Sequence, residues 1–258
     1  MRGCVMEWVL GITDLTRSEF LILVGLTCLA GIVRGFSGFA LSAMVMATAV
    51  LILPPIELIP MLWWLEMSAS ILMLKNGWAE ADRPMTYSLV VGNIIGWPIG
   101  LSLTMSLPVE TSKALALSVI VILAATQLAK IRLNFLATKP GLYGTGITAG
   151  IVSGISHTGA MVIAIYVLAA GKTAAAMRGS LVLFLFLGSL SSMIILLVFG
   201  VMDFSGMARG LIFAVPTMIG VVIGQLLFTE RLQPYYRPFC LCLLIGLASL
   251  GLIRTLVA

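Results

Sequence analysis

Ala30-Gly31-Ile32-Val33-Arg34-Gly35 recurs 119 residues on as Ala149-Gly150-Ile151-Val152-Ser153-Gly154. Each copy runs into a small, flexible interruption, around 34–38 in the first case and 153–159 in the second, with apolar chain on both sides. A second echo follows: Gly92-Asn93-Ile94-Ile95-Gly96 returns as Gly220-Val221-Val222-Ile223-Gly224, an offset of 128. Both offsets are close to half of the 258 residues, so the chain reads as a duplication, and a duplicated unit sets the architecture of the whole.

The composition says where such a duplication lives. Hydrophobic residues make up 60% of the chain, charged residues only 10%, and the mean hydropathy is +1.15. A water-facing domain carries about a quarter of its residues as charges. A spanning helix needs roughly 20 apolar residues, so about ten spans with tight loops use the whole length. A soluble catalytic domain is excluded. The net charge of +5 fits juxtamembrane Lys and Arg, and no basic run long enough to track phosphates exists, so nucleic acid is not a partner. Cys4, Cys28, Cys240 and Cys242 have neither zinc nor redox spacing; no metal or other cofactor is expected. The mixed polar lead at 1–19 lacks the apolar core and small-residue site of a cleaved signal peptide.

Apolar segments run at about 20–33, 38–53, 58–74, 85–106 and 112–129, then 142–155, 158–170, 177–200, 207–228 and 236–257. Each half therefore has five: two short segments joined at a Gly-containing break, then three longer ones. The expectation is an all-α polytopic membrane protein built of two repeats, 20–130 and 142–258, joined by a linker at 131–141. If both short segments cross, a half has five crossings; if they form a re-entrant hairpin, it has three. Either count is odd, which inverts the second repeat. Ten of the 15 Lys and Arg residues then fall on the side of the linker, which makes that side cytoplasmic and both termini periplasmic in a bacterial inner membrane.

Inverted repeats with broken segments at matching places mark secondary transporters, whose sites form where discontinuous helices meet near the midplane. A helix start at that depth offers free N–H groups and partial positive charge, which suit an anion. The candidate substrate-binding residues are therefore Arg34, Gly35, Ser37 and Gly38 in the first break and Ser153, Gly154, Ser156, His157 and Thr158 in the second. Charges within a span are costly and point to function. Glu66, mid-segment, is a candidate coupling or gating carboxylate, with a structural partnership to an Arg as the plainer alternative. Arg178 is a candidate for gating or for interface anchoring. The sole histidine, His157, either handles a proton or an anion, or merely packs. Gly92, Gly96, Gly100, Gly220 and Gly224 read as packing glycines. Glu57, Lys113, Arg231 and Arg237, at segment ends, read as topology and interface charges.

Gly35-Phe36-Ser37-Gly38-Phe39-Ala40 with Pro54-Pro55, and Gly96-Trp97-Pro98-Ile99-Gly100, resemble the first half of the TauE/SafE family of sulfite exporters and their relatives. Gly154-Ile155-Ser156 through Tyr166, with Arg178 opening the next helix, resembles the second half. The resemblance covers about residues 20–256. It departs at the second break, where the family's Gly-Gly-Pro-Pro is replaced by His157-Thr158-Gly159-Ala160. It implies export of a small anion, sulfite or an organosulfonate such as sulfoacetate, driven by membrane potential, a proton gradient or both. An exporter of a non-anionic metabolite or drug and an anion channel stay open as alternatives, as does a homodimer. An enzyme is not expected, because Ser156 and His157 have no third member and the carboxylates are scattered.

Overall fold

The computed structural model describes residues 2–130, 138–171, 173–227 and 233–257. Residues 131–137 of the expected linker, Lys172 and Arg231 lie outside the described residues, as do the side chains of Lys139 and Arg237. Among the described residues the chain is wholly helical. The order is α1 (Arg2–Thr13), α2 (Arg17–Ser37), α3 (Leu41–Ala49), α4 (Pro55–Glu80), α5 (Arg83–Ser106), α6 (Val109–Leu128), α7 (Lys139–Ser156), α8 (Gly159–Ala169), α9 (Ala174–Val198), α10 (Phe204–Leu226) and α11 (Gln233–Val257). Seven of these, α2, α4, α5, α6, α9, α10 and α11, are long and apolar enough to cross a bilayer.

The lead is not featureless: α1 fills most of it, and α2 begins inside it at Arg17. Thr16 and Glu19 form a capping box there, with Glu19 Oε2 accepting from the Thr16 amide at 2.9 Å. The expected short segment ending at residue 33 is in fact a 21-residue helix through Ser37. Sequence reading stopped at Arg34 because an unpaired charge ends an apolar span; here that charge is paired and fully buried, so the helix continues. The expected short segment 142–155 is likewise a longer helix, the 18-residue α7, so only α3 and α8 of the break members are short. With nine residues α3 rises only about 14 Å, half of a hydrocarbon core of about 30 Å. Almost all of α3, and α8 as far as Val167, are buried in the centre of the molecule. Interrupted backbone at membrane depth needs that sheath of protein.

The two halves interlock. The first helix of each packs on the fourth helix of the other, α2 on α10 and α7 on α5, while α4 meets α9 and α6 meets α11. Glycine makes the crossings close. A Cβ on Gly96 would stand 2.0 Å from the Ile147 carbonyl oxygen, and one on Gly220 would stand 2.1 Å from that of Cys28. Gly100 and Gly224 make the corresponding approaches to Ile151 and Ile32. The contacts thus match Gly96 and Gly100 with Gly220 and Gly224, one turn further along than the sequence echo. These glycines pack helices, as small residues do in lipid. At the periphery, Arg209 is buried; its Nε donates to the Thr13 carbonyl at the end of α1 (2.6 Å) and its Nη1 pairs with Glu57 (2.6 Å).

Candidate functional site

The break between α2 and α3 is built from charge. Gly38 takes the left-handed conformation (φ 81°) and its N–H returns to the Arg34 carbonyl at 2.8 Å, closing α2. Ala40 is also left-handed and gives α3 no side-chain cap. Glu66 of α4 supplies that cap from outside: its Oε1 accepts from the Ser42 hydroxyl (2.7 Å) and amide (3.3 Å) in the first turn of α3. Its Oε2 lies 3.1 Å from Nε of Arg34. Arg34 Nη2 donates to Ser70 Oγ at 3.0 Å, and Nη1 donates to the Gly38 carbonyl. Ser37 Oγ donates to Val33 or Phe39, both 2.7 Å away. From α9, Arg178 Nη2 donates to the Gly35 carbonyl at 2.9 Å, and its stem covers Gly38. Cation and anion each sit on the helix end whose partial charge they oppose, and the break is sealed.

The break between α7 and α8 has the same backbone with different side chains. His157 is left-handed (φ 56°) and its N–H returns to the Ser153 carbonyl at 2.8 Å. Ser156 and Thr158 share a 2.7 Å hydroxyl contact, and Thr104 of α5 donates to the Gly154 carbonyl at 3.0 Å. Thr158 gives α8 no side-chain cap. Beside the break lies a cavity of about 20 Å³, enough for about one water molecule. Its polar lining is Asn93 of α5, Ser153 and His157 at the break, and Ser189 and Ser192 of α9; Trp97 and Phe184 close it. Trp97 and His157 meet edge to face, ring centres 6.0 Å apart.

Both breaks hold buried polar atoms outside any hydrogen bond, but at the first break Arg34 Nε and Glu66 Oε2 face each other as an ion pair 3.1 Å apart. Asn93 Oδ1 and His157 Nδ1 are buried and lack a hydrogen-bond partner among the described residues. Each such orphan costs about 1–3 kcal/mol; Trp64 Nε1, Ser112 Oγ and Gln127 Oε1 are further cases, and what marks the second break is that two such residues line one cavity. The side chains are 2% and 7% exposed, so bulk water does not relieve them.

The nine expected substrate residues therefore divide into four groups. Arg34, Ser37 and Gly38 are engaged within the protein, with Glu66 and Arg178 as their partners. Ser153 and His157 face the cavity, while Ser156 and Thr158 bond each other. Gly35 and Gly154 are pressed against the neighbouring helix: a Cβ would stand 2.2 Å from the Val221 carbonyl oxygen and 2.4 Å from the Leu101 nitrogen, respectively. Sequence reading missed Asn93, Ser189 and Ser192. The signal existed, since Asn93 is a polar residue in mid-span and Gly188-Ser189-Leu190-Ser191-Ser192 is a polar run in an otherwise apolar helix.

Seven span-length apolar helices around two buried breaks define a polytopic integral membrane protein. The model of the sulfite exporter TauE/SafE family matches residues 22–250. The chain belongs to that family, a family of transporters. No curated protein and no solved structure matches it.

Proposed function

We propose that this protein is a secondary transporter exporting a small anion, sulfite or an organosulfonate such as sulfoacetate, across a bacterial inner membrane. The observation that carries the reading is the pair of orphaned, buried polar groups converging on a cavity at a helix break. An inside-negative potential favours anion exit by about 2.3 kcal/mol per charge per 100 mV, so export needs no bound nucleotide. The corresponding glycine crossings of α2 with α10 and α7 with α5 support two inverted repeats, one element moving against the other in alternating access. With the linker cytoplasmic, both termini are periplasmic.

The test is efflux from proteoliposomes under an imposed potential, with sulfite, sulfoacetate, taurine and acetate loaded inside. Saturable sulfite or sulfonate efflux that His157→Ala abolishes is the expected result. Folded protein that moves none of sulfite, sulfoacetate and acetate overturns the reading in favour of a non-anionic substrate, for which zwitterionic taurine is the control; flux that never saturates makes it a channel.

A further inference from the structure

We infer that the cavity between α5, the α7–α8 break and α9, which here has the volume of about one water molecule, widens in the transport cycle into a monoanion site, one that recognises a singly charged oxyanion by neutral hydrogen bonds and rejects a dianion. The inference rests on the anion-exporter reading, narrows it to singly charged species such as hydrogensulfite or a simple sulfonate and away from the dianion sulfoacetate, and adds two recognition residues to it, Asn93 and Ser189.

The argument starts from the lining. No Lys, Arg, Asp or Glu lines the cavity. The two arginines of the first break are spoken for: Arg34 is held by Glu66, Ser70 and Gly38, and Arg178 reaches Gly35. What remains is a set of neutral groups. Among the described residues no hydrogen bond engages the side chains of Asn93, Ser153, His157 or Ser189, although all four are buried. The Asn93 amide nitrogen, the imidazole and the two hydroxyls can each donate to an anion's oxygens, whereas Asn93 Oδ1 only accepts.

One partial charge supplements them. Ser153 Oγ lies against Gly159, the first residue of α8, so closely that a Cβ there would stand 2.1 Å from it. The start of an 11-residue helix with no side-chain cap thus borders the site, contributing roughly half a positive charge. Neutral donors and half a charge balance one negative charge. A second would be buried without a counter-ion, which a protein interior strongly disfavours.

The repeat spacing explains why no cation is present. The 119 residues that separate Ser37 from Ser156 and Pro55 from Ala174 also separate Arg34 from Ser153, Glu66 from Leu185 and Ser70 from Ser189. The second half holds the same positions with both charges removed, and Ser153, Leu185 and Ser189, which stand there, all line the cavity.

Methanesulfonate and sulfate make the decisive probes, being tetrahedral and similar in size but carrying one and two fixed charges. Purified protein in detergent would be titrated with each, following Trp97 emission, with Trp97→Phe identifying the signal and proteoliposome flux run in parallel. Methanesulfonate should bind at least tenfold more tightly than sulfate. Asn93→Ala and Ser189→Ala should each weaken methanesulfonate binding about tenfold while thermal unfolding stays close to wild type. Equal or tighter sulfate binding overturns the proposal, as does unchanged methanesulfonate affinity in both variants; in either case, continued sulfite flux leaves the exporter reading standing. No binding and no flux of any anion overturns both.

Discussion

The two helix breaks share a backbone and differ in what completes them. Gly38 and His157 close α2 and α7 with the same left-handed turn and the same return hydrogen bond, to Arg34 and to Ser153. In the first break the opposed helix ends are neutralised by Arg34 and Glu66. In the second, Ser153 and Leu185 occupy those positions, and the polar groups nearby lack partners. A helix interrupted inside a membrane leaves backbone charge at both ends. A protein can answer that charge with its own side chains, making a brace, or leave it for a guest, making a site. This molecule does the first at the α2–α3 break and, on the function proposed above, the second at the α7–α8 break.

The largest expected effect comes from breaking the brace. Glu66→Gln or Arg34→Ser alone strands a buried charge and should cost about 3–5 kcal/mol, seen as a large drop in thermal unfolding temperature in detergent. The double variant Arg34→Ser, Glu66→Leu copies the second break and should recover most of that loss. If it is as unstable as the sum of the singles, the two breaks are not interchangeable as argued.

Next come the crossings that hold both breaks in place. Gly96→Ala and Gly220→Ala push a methyl into backbone across the interface and should each cost roughly 1–3 kcal/mol, by similar amounts. A marked inequality in unfolding temperature would show that one crossing bears more of the fold than the other.

A smaller effect separates backbone from chemistry at the open break. His157→Gly relieves a left-handed conformation that disfavours any side chain by about 1–2 kcal/mol, so the protein should unfold no earlier than wild type. Anion efflux should nonetheless fall tenfold or more. Retained flux would reduce His157 to a helix cap, the role Gly38 already fills. The smallest expected change is in the stability of Asn93→Ala, within about 1 kcal/mol of wild type, because the lost packing is offset by removal of an unsatisfied oxygen.

Much of the fold could be read from the chain because membrane helices announce themselves by length and hydropathy, and the duplicated Ala-Gly-Ile-Val segment placed both breaks. The glycines read as packing residues do pack. The site was only half legible. A sequence shows that Arg34 and Glu66 are ionisable residues at depth, but not that they meet 3.1 Å apart across 32 positions and cancel. Asn93 and Ser189 went unread for the opposite reason: each is a modest polar residue alone, and they converge only once α5 and α9 pack beside the break.

The interlocking of the halves also governs how the molecule can be made. The face of α2 bearing Gly31 and Gly35 closes only on α10, which a ribosome delivers some 170 residues later; α7, by contrast, finds α5 already in place. The amino-terminal half must therefore wait in the bilayer with a bare glycine groove until nearly the whole chain has entered. That wait is a window in which quality-control machinery can tell finished chains from stalled ones.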